Sequence, residues 1–390
     1  MKNIQSFRRT LIPSKSKIQF DVWENVVKLY EEGKFKDSLF RLFDYVDGNL
    51  VRQYGNAAKT EFTVPHGSVD VIIKISDSQV DINVPFLRLP EKNVIPLLRK
   101  ATEINFSPLN IATIVLEGNE LSFRYSTPLH LCEPWKMYSV FREICVNADN
   151  FDDEFIHKFG AARIKEPIIV NFTNEKKEEI WNTFQFLLNE TKEYLEFFEN
   201  KRFDGFLWDA LIQLFLNIDY YIAPQGYLRT DMENVVNYMQ DGNYSLHEKN
   251  EKGKAFFKKL QQISHDDLCS NLYVSQVFIP IKYAASLEYV RNTFSNQYET
   301  AKKEMNNSDY MGAALSIRYV FLYEFYYSYA PDDIVEIITN ALENSSSKPW
   351  DEAARILWQA IDQIMTGNTG QQANRQTSDS SGDSFARNTF

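Results

Sequence analysis

The chain has 390 residues, enough for two domains that each bury a hydrophobic core without disulfides or metals. It carries 42 Lys and Arg residues against 53 Asp and Glu residues, a formal net charge of −11, which repels nucleic acid and anionic membranes over most of the surface. The three cysteines have spacings that match neither a disulfide framework nor a zinc site, and no segment has the roughly 18 apolar residues of a membrane span or the pattern of a secretory leader. We therefore expect a soluble, cytoplasmic protein with reduced thiols that binds no nucleic acid and spans no membrane.

Residues 1–19 are basic. They contain Lys2, Arg8, Arg9, Lys15 and Lys17 and no acidic residue. Chain termini are loosely ordered unless something fixes them, so we predict a flexible basic arm, with contact to phosphate or to an acidic partner as the alternative.

Residues 20–166 alternate between helical and strand-like periodicity. The predicted elements are helices at 20–30 and 35–54, strands at 60–64, 68–75 and 79–86, a helix at 93–106, a hairpin of strands at 110–117 and 120–126, and a helix at 134–156. Because one face of each strand is apolar and the other is mixed, we predict an α+β fold in which helices cover one face of an antiparallel sheet.

The mixed face of this predicted sheet is the candidate partner-binding surface. Its candidate residues are Ile72, Lys74, Asp81, Asn83 and Arg124. In the neighbouring helices, Ile95, Leu98, Ile104 and Trp135 are predicted to face the core.

Residues 167–366 are predicted to form an all-helical domain after a short apolar strand at 168–172. Helices are predicted at 178–198, 203–223, 231–240, 246–263, 282–305, 310–329, 332–343 and 350–365. The segment 319–329 is aromatic on all sides, which favours a central core helix over a groove for a partner peptide. Residues 367–390 are polar and are predicted to be a disordered tail, with Phe390 as a candidate docking residue.

No residue pattern predicts a catalytic centre, a metal site or a cofactor. Glu154 and His157 have the spacing of one half of a di-iron site, but the chain has no second Glu-x-x-His. His130 and Cys132 form a nucleophile pair only if a third group orients them, and the sequence has neither a nucleophile elbow nor a glycine-rich phosphate loop. His66, between Pro65 and Gly67, is interpreted as part of a turn.

The element order of residues 20–165 resembles the type III secretion chaperone-like superfamily, which includes the Tir-chaperone and YbjN-type families. The resemblance lies in the strands at 69–75 and 80–86, the helix after Pro90, the turn at 116–121 and the helix at 135–148. It implies a bacterial, non-enzymatic protein that binds another protein or peptide and that is often a homodimer.

The sequence thus predicts a protein-binding adaptor or chaperone in a multiprotein system of the secretion or defence kind. Two alternatives stay open. One is an enzyme or toxin whose site forms only in three dimensions, near His130 or His157; the other is a structural subunit of a larger assembly, suggested by the aromatic helical half.

Overall fold

A computed structural model describes residues 3–11 and 17–367. The predicted tail from residue 368 onward, with Phe390, lies outside the described residues, as do Lys2 and Lys15 of the predicted arm. The first elements in chain order are a 3-10 turn (Phe20–Val22), α1 (Trp23–Glu31), α2 (Phe35–Val46), α3 (Leu50–Tyr54), β1 (Glu61–His66), β2 (Val69–Ile75), β3 (Gln79–Arg88), α4 (Val94–Phe106), β4 (Thr113–Glu117), β5 (Glu120–Pro128), a second 3-10 turn (Leu129–Leu131), α5 (Pro134–Phe159) and β6 (Ala162–Arg163).

The remaining described elements are mainly helical. They are β7 (Ile169–Asn171), α6 (Asn174–Lys201), α7 (Asp204–Ile222), α8 (Gly226–Gln240), α9 (Leu246–Gln261), α10 (His265–Ser270), β8 (Tyr273–Ser275), β9 (Tyr283–Ala284), α11 (Leu287–Asn306), α12 (Tyr310–Tyr327), β10 (Ser328–Tyr329), α13 (Asp332–Ser345) and α14 (Trp350–Thr366). In this described part, no helix is both long enough and apolar enough to cross a membrane.

The α+β fold class predicted from the sequence is confirmed. The main sheet is antiparallel, with strand order β1-β2-β3-β5-β4 and β6 paired to the end of β3. Alternate residues of β2 and β3 are buried, and they share one hydrophobic core with side chains of α1, α2, α4 and α5. The period of two in the sequence therefore places one face of the sheet against helices.

The chain divides into two compact units that are not contiguous in sequence. Of the described residues, the helical unit contains 3–10, 187–221 and 285–367; the sheet unit contains 11, 17–186 and 222–284. This differs from the predicted boundary after residue 166, because α8, α9 and α10 belong to the sheet unit. Within that unit, α8 packs on α5, a long-range contact that sequence spacing does not indicate.

Residues 3–10 differ from the predicted flexible arm, because they pack within the helical unit. Ile4 and Phe7 are buried, and the Ile4 N–H donates to the Lys348 carbonyl at 2.9 Å. Arg9 pairs with Glu343 at 2.6 Å. Two apolar side chains among the basic ones therefore anchor this segment.

Helix α12 lies in the core of the helical unit, where it packs against α11 and α14. Phe321 and Phe325 are buried, whereas Tyr319, Tyr323 and Tyr327 are half-buried along one side. The aromatic segment is therefore mainly core, as its all-round apolar character predicts.

Candidate functional site

The five side chains predicted to bind a partner lie in two neighbouring cross-strand rows on one face of the sheet. Ile72 is opposite Asn83, and Asn83 is opposite Arg124. In the next row, Lys74 is opposite Asp81. All five belong to the face that does not contribute to the hydrophobic core, because their neighbours in each strand do.

The polar groups on this face are only partly satisfied. Lys74 Nζ lies 3.8 Å from Glu61, Arg124 Nη2 lies 2.6 Å from Glu117, and Ser126 Oγ donates to Asp81 at 2.7 Å. Two further atoms, Asn83 Oδ1 and Arg124 Nε, are shielded from solvent and have no hydrogen-bond partner within the described residues. Buried polar atoms are normally paired, so these two atoms are exceptions on this face.

The opposite end of the same face is occupied by the chain that follows α5. There, β6 pairs with Leu87 and Arg88 of β3, and Lys165 Nζ lies 2.6 Å from Asp70 on β2. The exposed part of the face is therefore the part that carries Lys74 and Asp81.

Large apolar side chains are also exposed on the helices of the sheet unit, contrary to two of the core predictions. Ile95 on α4 is 67 % exposed and Trp135 at the start of α5 is 59 % exposed, whereas Leu98 is half-buried and Ile104 is buried as predicted. The Trp135 ring packs at 4.0 Å, centroid to centroid, on Trp23 of α1. The helical periodicity predicted for α4 and α5 is correct, but the stripe of apolar residues on each helix is wider than the part that packs against the core.

A small polar cleft of about 60 Å³ lies between the start of β2, α5 and the start of α8. Asp149, Asp152 and Asp153 line it from successive turns of α5. Ser68 Oγ donates to Asp152 at 2.8 Å, and Arg163 Nη2 lies 2.6 Å from Asp153. The cleft thus combines acidic, basic and hydroxyl groups.

His66 is fixed behind this cleft. Its Nδ1 accepts the Phe278 N–H at 3.1 Å, so the ring proton is on Nε2, which lies 3.1 Å from Asp149 Oδ2. The turn that follows needs glycine, since Gly67 has φ +52° and a Cβ there would overlap with Asp149 Oδ1. The interpretation of His66 as part of a turn is therefore incomplete, because this histidine is buried at the end of β1.

The acids in the cleft have displaced pKa values. Burial and the nearby Asp153 carboxylate raise the pKa of Asp152 to about 6, against the opposing effects of Ser68 and Arg163. Burial also acts to raise the pKa of Asp149, but His66 and Arg229 hold it below its ordinary value. Shifts in opposite directions on one helix face are typical of functional sites and also of structural ion networks.

The histidine, cysteine and glutamate side chains considered as catalytic or metal-binding pairs in the sequence do not form such pairs. The Cys132 thiol donates to the Pro128 carbonyl at 3.7 Å, and burial raises its pKa to about 11, which disfavours a thiolate nucleophile near His130. Glu154 pairs with Lys158 at 2.9 Å instead of with His157. Over residues 3–11 and 17–367, no three His, Cys, Asp or Glu side chains form a group that could hold a metal ion.

The cleft is the feature that sequence reasoning missed. Its one local signal is the i, i+3, i+4 spacing of Asp149, Asp152 and Asp153 within an otherwise apolar helix stripe. Arg163 and the residues of α8 come from elsewhere in the chain, so their convergence has no sequence pattern.

Comparison with known proteins does not assign a family: no family model matches the chain, and no curated protein matches its sequence.

Proposed function

We propose that this protein is a non-enzymatic adaptor or chaperone that holds a partner protein or peptide within a multiprotein system of the secretion or defence kind. The observation that carries the proposal is the sheet face opposite the hydrophobic core, where the exposed side chains of Lys74 and Asp81 lie opposite each other. A polypeptide laid across this face contacts these two charges and the apolar Ile72 side chain of the neighbouring row together.

The composition of the surface supports a macromolecular partner. Ile72 provides apolar area at one end of its row, and Lys74 and Asp81 provide exposed charges of opposite sign in the next row. Non-obligate protein interfaces likewise contain both apolar and polar area. The exposed Trp135, on a helix of the same unit, is of the residue type most enriched at binding hot spots.

The test is capture of partners from the native host with tagged protein, followed by mass spectrometry. Lys74→Glu combined with Arg124→Glu reverses both positive charges on the face. We expect the proteins captured by the wild-type chain to be lost, because like charges opposite a matched partner act against association.

A matched control is available in the same unit. Arg41 and Lys158 have side-chain exposures of 40 % and 66 %, against 38 % for Arg124 and 63 % for Lys74, and each also pairs with one acid. Arg41→Glu with Lys158→Glu should leave capture unchanged. Retention of the same partners by the sheet-face variant, or capture of none by the wild-type chain, contradicts the proposal.

A second candidate function is ligand binding or catalysis in the polar cleft. It is favoured by Asp152, whose raised pKa places a carboxyl group able to exchange a proton near neutral pH beside the Ser68 hydroxyl. Asp152→Asn keeps the shape of the side chain but removes the carboxyl group that titrates. Loss of cellular function with an unchanged melting temperature and unchanged partner capture would favour this candidate over the adaptor.

A further inference from the structure

Residues 3–9 lie in a groove of the helical unit in the way that a bound peptide lies in its receptor. They form no helix and run antiparallel to residues 346–349, the loop between α13 and α14. Asn3 pairs with the last residue of this loop, and the Phe7 N–H donates to the hydroxyl of the first at 2.9 Å. The four side chains from Ile4 to Phe7 are all buried. Because successive side chains of an extended segment point to opposite sides, the groove encloses this segment from both sides.

Two ionisable side chains of the groove bind the main chain of the segment. At Ser6, Glu190 of α6 accepts the N–H at 3.0 Å, and Arg318 of α12 donates to the carbonyl at 3.2 Å. Hydrogen bonds to charged side chains are shorter and stronger than those between neutral groups. These two bonds use main-chain groups that every residue except proline carries. The groove therefore recognises the backbone of its occupant as well as its side chains.

Arg318 also shows that the groove requires an occupant. Its guanidinium is buried, and two of its acceptors, Gln5 Oε1 and the Ser6 carbonyl, belong to the segment. A buried charge that loses its partners is strongly destabilising. The helical unit is therefore complete only when a polypeptide supplies acceptors at these two places.

The remaining contacts define which peptides fit. Ile4 is buried, and the Phe7 ring stacks on Tyr220 with the ring centroids 5.4 Å apart. Ser6 Oγ donates to the same glutamate that accepts its N–H, at 2.7 Å. Arg9 adds a bond to an asparagine of α13 at 3.0 Å beside its ion pair with a glutamate of that helix. The matching peptide has an aliphatic residue, a serine two positions later, an aromatic residue next to it and an arginine two positions further on.

We infer that this groove is a binding site for extended peptides of that pattern and that residues 3–9 occupy it as an intramolecular ligand. Only two apolar side chains, Ile4 and Phe7, anchor the segment, so another peptide with the same two anchors can replace it. An occupant on the same chain has an effective concentration of about millimolar, so it competes strongly with a peptide in solution. The inference goes beyond the proposed function and does not rest on it.

The experiment cuts the full chain after it has folded. A protease site placed within residues 12–16 is cleaved in the purified protein, which detaches residues 1–11 covalently without removing them. A fluorescent synthetic peptide of residues 3–10 is then titrated in, and its anisotropy is measured. We expect it to bind the cut protein with a Kd of about 1–50 µM and the uncut protein at least about tenfold more weakly.

The melting temperature gives an independent measurement. Cutting should lower it, because the segment now dissociates, and an excess of the peptide should restore it by binding only the folded state. A peptide that binds neither protein, or both equally, overturns the inference. A loss of stability on cutting that excess peptide does not restore overturns it as well.

Variant peptides exclude general attraction between a basic peptide and a chain of net charge −11. Phe7→Ser in the peptide should weaken binding at least about tenfold, because it removes a buried aromatic anchor. Arg9→Ser and Arg8→Ser remove the same charge, but Arg8 is exposed, so only Arg9→Ser should weaken binding beyond the effect of charge. A Phe7→Ser peptide that binds as well as its parent contradicts the inference. The titration uses purified protein and a synthetic peptide, so its failure is distinct from a failure of partner capture at the sheet face.

Discussion

At the scale of single residues, the helical unit buries two ionisable side chains on one helix in different ways. Arg318 is 2 % exposed, and its guanidinium donates to Gln213 Oε1 at 2.8 Å and to Gln5 Oε1 at 3.2 Å. Glu324 is 0 % exposed, and within the described residues the only polar group that acts on its carboxyl group is the Ser328 hydroxyl, whose effect is smaller than that of burial. Burying an unpaired carboxylate is costly, so the group stays protonated where it can.

Glu324 should make the unfolding free energy depend on pH. Burial raises its pKa from the ordinary 4.5 to about 7, so the folded chain binds the proton more tightly than the unfolded chain. Its contribution to stability is complete below about pH 4.5 and is lost as the pH rises through about 7. Glu324→Gln removes this titration. Between pH 4.5 and pH 8, the unfolding free energy of the variant should therefore rise by on the order of 3 kcal/mol relative to that of wild type.

Urea unfolding of both proteins at several pH values measures this difference. Glu299→Gln, at an exposed position of α11, is the control and should follow wild type throughout. A Glu324→Gln difference that is the same at pH 5 and pH 8 would show that the carboxyl group has partners in solution.

At the scale of elements, α4 protects an edge of the sheet. Asn105 Oδ1 accepts the Ile114 N–H at 2.6 Å, and Asn105 Nδ2 donates to the Ile114 carbonyl at 2.8 Å. One amide side chain thus replaces the hydrogen bonds that a further strand would make to this residue of β4. Covering an edge strand in this way reduces pairing with other chains.

Asn105→Ala should lower the unfolding free energy by about 1–3 kcal/mol, because it leaves both backbone groups of Ile114 without their partner. The hydrogen-exchange rate of the Ile114 amide should rise in the same variant. Asn105→Asp, which can still accept this N–H but cannot donate to the carbonyl, should keep the amide protected. Equal protection of Ile114 in wild type and Asn105→Ala would show that the side chain does not cover the edge.

The sequence predicts elements well where the signal is local. The predicted helix at 93–106 and the strand starting at residue 79 agree with α4 and β3 within a few residues, because binary patterning sets both. The predicted helix at 35–54 is broken after Val46, where Asp47 Oδ1 accepts the Asn49 N–H in a tight turn.

Contacts with residues far away in the sequence, and apolar side chains that face solvent, explain the other differences between prediction and structure. Helix α8 begins at Gly226, several residues before the predicted start, because Asn271 accepts the Leu228 N–H at 3.4 Å. The outward Ile95 and Trp135 carry the same apolar signal as buried residues, so sequence alone places them in the core. The rows of the sheet face were predictable from alternation, whereas the cleft depends on a contact between α5 and α8 that no local pattern encodes.

At the scale of the whole molecule, the helical unit is assembled from three separated stretches of chain. The first is the short N-terminal segment, which is fixed by buried polar contacts as well as by apolar ones. Arg318 Nη2 donates to the Ser6 carbonyl at 3.2 Å, and Glu190 accepts the Ser6 N–H at 3.0 Å. Burial lowers the pKa of Arg318 to about 10, so this side chain is still charged at neutral pH and needs its acceptors.

Removing residues 1–10 should therefore destabilise the helical unit selectively. The truncated chain leaves Arg318 without Gln5 Oε1 and the Ser6 carbonyl, and a buried charge that loses its partners costs about 3–5 kcal/mol. Hydrogen exchange should rise in α12 and α14 while β1 to β5 keep their protection. Equal loss of protection in both units would mean that the segment does not act through this contact.

A substitution at Arg318 separates the lost charge partners from the lost apolar anchors. In the full chain, Arg318→Met should be destabilising, because it breaks the bonds to Gln5, Gln213 and Ser6. In the chain lacking residues 1–10, the same substitution should be stabilising, because it replaces an under-paired buried charge by an apolar side chain of similar length. Denaturant unfolding of the four proteins measures this change of sign, and a destabilising effect in both backgrounds would assign the role of the segment to Ile4 and Phe7 alone.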